Sequence, residues 1–416
     1  MKTQTGSKSH CFSNISEVGE LIRQRKLSPV ELVTSCLERI RHIQPRLNAF
    51  ITVAFDTALQ SARAAEREIQ EGNWKGPLHG VPIGIKDFYD TVGTKTTAAF
   101  EHFRDRIAKK DAASVEKLKK AGAIIVGKTN MHTLGMGTTG LDSWFGAPRN
   151  PWNSGYIPGG SSSGSAVAVA SGLCYATLDT DAVGSCRLPA ACCGVVGFKG
   201  SYGLIDMQGI LDGEKPPDED IIWMSHAGIT TRSVTDTAIV LDVLAEGDGH
   251  REASFVTELN QEKPLRIGVA DNCKAGRDVM DAFERAIQTI QAFGYSMSNA
   301  AVPFTSFSKG IADIAADRKS IARQSFDNID VLLLPTTVTS PLTIKDAGQP
   351  LSLSPENTMF ANYYGLPAIS VPCGFDQHGL PLGLQIVAKP WDESAVLRLA
   401  HQFQTATFFS KEHPAE

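Results

Sequence analysis

Three segments of the chain hold side chains that could do chemistry. Residues 79–87 read His-Gly-Val-Pro-Ile-Gly-Ile-Lys-Asp, an apolar run broken by Pro82 and Gly84 and closed by Lys86. A lysine ending such a run is placed at a strand end and partly buried, and burial disfavours its charged form. That makes Lys86 a candidate base, with an ion pair to Asp87 as the alternative. Residues 158–165 set Gly159, Gly160 and Gly164 among Ser161, Ser162, Ser163 and Ser165, just ahead of a small-residue helix. Serines supply short hydroxyls, and N–H groups at a helix start can face a ligand. The alternative is a flexible linker, but a linker would not open straight into an apolar helix. Residues 179–191 form a polar knot between apolar stretches and include Asp181, Ser185 and Arg187. Taken alone, it is also explained by a tight turn that an Asp181–Arg187 pair stabilises.

These segments need a scaffold, and the chain is long enough to supply one. Its 416 residues are 42% hydrophobic and 20% charged, an ordinary globular composition. The net charge of −5 excludes a dominant nucleic-acid surface; Lys117, Lys119 and Lys120 read as the solvated face of a helix. No run approaches the roughly 18 apolar residues of a membrane span, and the N-terminal residues 1–12 hold no apolar run of export-signal length. The eight cysteines are scattered, which fits reduced thiols and a cytoplasmic protein. None is spaced for zinc, so neither metal nor cofactor is expected.

Periodicity places helices over most of residues 1–75, with Ser28-Pro29-Val30-Glu31 as a capping box and a second helix over 54–69. Strands are expected at 81–85, 123–127, 195–198, 265–270, 331–335, 368–372 and 384–388. Helices are expected at 113–121, from 166, at 233–246, 278–293 and 393–405. Residues 136–163 form a long loop whose Trp144, Phe145 and Trp152 favour a functional role. Helices alternating with apolar strands imply an α/β fold built as one large domain.

The three segments together resemble the amidase signature family. Its pattern runs G-V-P-[I/F]-x-[V/I]-K-D, then P-G-G-S-S-G-G-S, then G-T-D-x-G-G-S-x-R-x-P-A-A-x-C-G. Here these blocks read GVPIGIKD, PGGSSSGS and LDTDAVGSCRLPAACCG. GAIIVGKTNMHTLGMG, RSVTDTAIVLDVLAEG, DVLLLPTT and GLPAISVPCGF extend the likeness over nearly the whole chain.

The resemblance implies a single domain: N-terminal helices to residue 75, a signature core at 76–230, and the remainder of sheet and cover at 231–416. A central mixed sheet would carry helices on both faces. Ser185 would be the nucleophile, Ser161 the relay held by a cis peptide from Gly160, and Lys86 the base. The N–H groups of Ala182, Val183, Gly184 and Ser185 would form the oxyanion hole. Ser162, Thr180, Asp181 and Arg187 would support them, with Met136, Gly137, Trp144 and Gly160 against a small amide substrate. No nucleic acid or membrane partner is implied, and a homodimer stays open.

Three positions depart from the pattern: Ser163, Asp179 and Val183 stand where the family has glycine. The stretch between Phe304 and Asp330 also looks short, leaving a thinner cover. Within the family, the glutamine-hydrolysing A subunit of an aminoacyl-tRNA amidotransferase is the main alternative; the short stretch and residues 138–144 argue against it. A member impaired in catalysis and acting by binding is another. Outside the family, Gly160–Gly164 fits the G-x-S-x-G elbow with Ser162 as nucleophile, but that motif must follow a strand and here follows a loop. A phosphate-binding loop lacks its lysine motif.

Overall fold

The computed structural model describes residues 10–245, 253–305 and 310–415. Most of the N-terminal segment read for an export signal, and Glu246 at the end of one expected helix, therefore lie outside the described residues. The eleven strands are β1 (Phe50–Val53), β2 (Pro82–Lys86), β3 (Ile124–Thr129), β4 (Ala176–Asp181), β5 (Val196–Lys199), β6 (His226–Thr231), β7 (Arg266–Ala270), β8 (Ser296–Ala300), β9 (Val331–Pro335), β10 (Ala368–Phe375) and β11 (Pro381–Ala388). They form one sheet in the order β1-β3-β2-β4-β6-β5-β10-β11-β9-β7-β8. β3, β2 and β4 run parallel, as do β9, β7 and β8; the centre from β4 to β9 is antiparallel. This is a single α/β domain with a mixed sheet.

Alternation along the strands divides the core. Ile83, Ile85, Leu178 and Ile229 face one cluster, filled from helices that include Val234–Leu244 and Glu393–Ala406. Ile124 and Val126 face the other, where the helices Pro29–Leu47, Phe55–Gln70 and Ser163–Ala170 pack. Helices thus cover both faces, and doubly covered strands such as β2, β9 and β11 are apolar runs.

Local sequence signals account for many boundaries. The Ser28 hydroxyl accepts from the N–H groups of Val30 and Glu31, with Pro29 at the first helical position. Its own proton goes to Glu66 at 2.5 Å, tying the cap to the next helix, and the reciprocal Glu31 arm of the expected box is not formed. The Ser233 hydroxyl likewise accepts from the Asp236 N–H and starts Val234–Leu244.

Several elements lie outside the expectations from sequence. β1 interrupts the N-terminal helices, and the polar knot contains β4 and the helix Arg187–Cys193 rather than one tight turn. β6, β8 and the helices Ile311–Ser325 and Glu356–Tyr363 also lack an apolar signature in sequence. Among the described residues, no helix is long and apolar enough to cross a membrane.

Candidate active site

The site forms where β2, β4 and the start of Ser163–Ala170 meet. Lys86 is the last residue of β2 and is fully buried. Its Nζ donates to Ser161 Oγ at 2.8 Å and to Thr180 Oγ1 at 2.7 Å. Alternation along the chain turns Asp87 the other way. Asp87 faces Lys128 at 3.4 Å and accepts from the Thr97 N–H, so the Lys86–Asp87 ion pair does not form. Burial without a paired carboxylate pulls the Lys86 ammonium down to about 8 from its ordinary 10.5, while Asp179, Cys186 and Asp181 pull the other way.

The Gly160–Ser161 peptide is cis. Gly160 lies against the backbone of residues 137–140, where a Cβ would come within 2.8 Å of the Gly140 nitrogen. The Ser161 carbonyl accepts from the His132 N–H at 3.0 Å. The Ser162 N–H donates to the Ser185 carbonyl at 3.0 Å, and its hydroxyl donates to the Thr180 carbonyl at 3.3 Å. Those two bonds tie the glycine–serine loop to the turn that carries Ser185. Ser162 is fully buried and no strand precedes it, which removes the G-x-S-x-G elbow reading.

Between β4 and the helix Arg187–Cys193 the chain turns through residues 182–185. Asp181 holds this turn from inside. Its carboxylate accepts from the N–H groups of Gly184 at 2.8 Å and Cys186 at 3.2 Å. Arg187 grips the same carboxylate in a fork, Nη2 at 2.9 Å and Nε at 3.0 Å. Burial raises the Asp181 carboxyl, but the Arg187 charge and hydrogen bonds, with Asn362, outweigh it and hold it below its ordinary range. Arg187 is itself fully buried and also donates to Gln385, to the Thr358 carbonyl and to Asn362.

This geometry corrects one expectation. The Gly184 N–H is directed at Asp181, so it does not face the cleft. The N–H groups of Ala182, Val183 and Ser185 make no hydrogen bond among the described residues. Gly184 is needed for another reason: its φ is +125°, and a Cβ there would collide with Thr358 Oγ1. Val183 is not in the left-handed region, and its carbonyl accepts from Thr358 Oγ1 at 2.5 Å. It therefore sits in the glycine position of the pattern without a strained backbone. Ser163 is fully buried opposite Gly140, where a Cβ would stand 2.6 Å from the Ser163 Cβ. Thr180 touches the lysine directly rather than at one remove.

The expected substrate contacts divide. Gly137 packs on the His132 ring, and Met136 and Trp144 are exposed, 60% and 52%. Sequence reasoning missed Thr358, Asn362 and Gln385, which fix the turn from more than 170 residues away. His132 is buried beside Ser161, and burial lowers its tendency to charge. Among the described residues no group of three or more His, Cys, Asp or Glu side chains could hold a metal ion.

The Amidase family model matches residues 31–315 and 305–397. The chain belongs to the amidase signature family. It is similar to the A subunit of the glutamyl-tRNA(Gln) amidotransferase of Carboxydothermus hydrogenoformans, 32% identical over 97% of this chain and 99% of that one. The corresponding protein of Geobacter metallireducens is 31% identical over 94% of this chain and 97% of that one. The first alignment spans 489 residues against a chain of 416, so that relative carries stretches this family member lacks. Among solved structures, a 6-aminohexanoate cyclic dimer hydrolase complexed with substrate superimposes with a TM-score of 0.85 at 26% identity, over 97% of this chain and 99% of that one. A peptide amidase from Stenotrophomonas maltophilia, with a TM-score of 0.81 at 24% identity over 96% and 97%, shares the fold.

Proposed function

We propose that this protein hydrolyses a carboxylic amide through an acyl-enzyme on Ser185. The observation that best supports this is the 2.8 Å contact between Ser161 Oγ and a lysine whose burial brings its pKa down to about 8. A serine hydroxyl is a poor nucleophile until its proton is removed. Ser185 passes its proton to Ser161 as the Ser161 proton moves to the lone pair of neutral Lys86. Ser185 Oγ bonds to the amide carbon, and the oxyanion is met by the N–H groups of Ala182, Val183 and Ser185. The C–N bond then breaks as the proton returns from Lys86 through Ser161 to the leaving nitrogen. Water repeats the sequence, releasing the acid and free Ser185. The roles of Ser185, Ser161 and Lys86, and the division of the domain into helices, core and cover, belong to this proposal.

Glutamine is the amide that the amidotransferase relatives favour, and they do so more strongly than residues 138–144 argue against it. In that second reading the chain works beside partner subunits that use the ammonia on a charged tRNA, which replaces the expectation of no nucleic-acid partner. The isolated chain is to be offered glutamine alongside aliphatic, aryl and urea-type amides, with ammonia or amine release followed against pH. In either reading kcat/KM rises with pH through about 8 as Lys86 loses its proton; a profile flat from about pH 6 to 9 contradicts Lys86 as base. Preference for glutamine selects the second reading; turnover of simple amides with glutamine inert selects the first.

A further inference from the structure

Of the three departures from the family pattern, Asp179 is the one whose charge bears on the base. Ile85 pairs with Leu178 between parallel β2 and β4, so Lys86 and Asp179 are the next positions on adjacent strands. Side chains at matched positions of neighbouring strands share a face, and Ile85 and Leu178 take the opposite one. Lys86 and Asp179 therefore point to the same side of the sheet, under the helix Ser163–Ala170. Both are fully buried.

The carboxylate is held in place. The hydroxyls of Thr177 and Thr230 each donate to Asp179 Oδ2 at 2.7 Å. Oδ1 is buried and makes no hydrogen bond. The Ser165 hydroxyl lies nearby, bonded to Thr129 Oγ1 at 2.7 Å, and Thr129 pairs with Lys86 on the other side. A glycine here would leave two buried threonine hydroxyls without this acceptor. So Asp179 sits in a cradle of its own, built by Thr177, Thr230 and Ser165.

We propose that Asp179 is a positioning residue for the reaction: the counter-ion that stabilises Lys86 as the ammonium it becomes on taking up the proton displaced from Ser185. This rests on Lys86 being the base of the proposed function. Four titratable or charged groups bear on Lys86: Asp179 and Asp181 from β4, Cys186 from the turn, and His132 beside Ser161. Asp181 is already committed to Arg187, and the Cys186 thiol is buried and pushed well up, so it stays neutral. His132 is kept neutral by burial. Asp179 is thus the one of these four that carries a carboxylate not committed to another charged side chain. Burial raises its own carboxyl, opposed by hydrogen bonding from Ser165, the Lys86 charge, and hydrogen bonds from Thr230 and Thr177.

A neighbouring negative charge favours charged lysine. Removing it lets Lys86 lose its proton at lower pH and leaves the transient ammonium less stabilised. The test needs no knowledge of the substrate: the second-order rate at which an alkyl fluorophosphonate modifies the full chain, followed by intact mass from acid to alkaline pH. Asp179→Asn keeps an oxygen for both threonines, and Asp179→Gly restores the family pattern, so one stands in if the other misfolds. In each folded variant the acid limb moves down by about one pH unit, and the alkaline plateau falls roughly threefold to tenfold. A limb that stays in place in the folded variants overturns the counter-ion role. Lys86→Met in the same assay separates the two claims. Lost labelling there, with an unmoved Asp179→Asn profile, removes only the counter-ion. Undiminished labelling of Lys86→Met overturns the base itself.

Discussion

Replacing Lys86 with methionine is expected to leave a folded protein that hydrolyses amides slower by on the order of 10⁴-fold or more. Methionine fills most of the same volume and is at home in a buried site, so the sheet around β2 keeps its packing. What is lost is the amine in contact with Ser161 that can take its proton. Ser161 Oγ and Thr180 Oγ1 each lose a partner at less than 3 Å, a cost of about 1–2 kcal/mol in stability that does not approach unfolding. Residual hydrolysis would come from the backbone N–H groups of the turn alone. The measurement is kcat/KM together with the melting temperature. Full activity in a folded Lys86→Met protein would contradict the proton path.

The second large effect falls on stability. Arg187→Ala removes one member of a fully buried ion pair and leaves Asp181 uncompensated, which costs about 3–5 kcal/mol. The same change strips donors from Gln385, Asn362 and the Thr358 carbonyl, which together clamp β4, β11 and the helix Glu356–Tyr363. Because Asp181 also holds Gly184 and Cys186, the turn loses its shape and activity falls with stability. The pH dependence has a definite sign. In the native protein the Asp181 carboxyl is held low, so its contribution is present above the ordinary carboxylate range and is lost as pH falls through the folded value. In Arg187→Ala the stranded carboxylate is relieved by protonation, so the stability gap between the two proteins narrows in acid. Urea unfolding at neutral and acid pH reads both quantities; a gap below about 1 kcal/mol at neutral pH would contradict the clamp.

Particular residues show where the sequence is legible. Pro82–Lys86, Val331–Pro335 and Pro381–Ala388 are doubly covered strands, and their apolar runs announce them. β4 does not announce itself, because Ala-Thr-Leu-Asp-Thr-Asp places polar side chains at buried positions. They are tolerated there because Thr177, Asp179 and Thr180 all find partners, which is tertiary information. β8 is a short polar edge strand exposed along much of its length, so nothing selects for an apolar pattern. Motif order singles out Lys86, Ser161 and Ser185 as candidates. It does not find Thr358, Asn362 and Gln385, since they meet Arg187 only after the chain has crossed the sheet. It also misassigns the Gly184 N–H, because a motif gives residue identity and not the direction of an N–H. That direction is set by Asp181.

The central claim is that Ser185 is the nucleophile, activated through Ser161 by Lys86. Modification by a fluorophosphonate, followed by proteolysis and mass spectrometry of the labelled peptide, tests it most directly. The account predicts one phosphonyl group per chain, on Ser185, at a rate that rises with pH through about 8 and collapses in Lys86→Met. Label on Ser162, or a protein that hydrolyses amides while Ser185 stays unmodified, would contradict it.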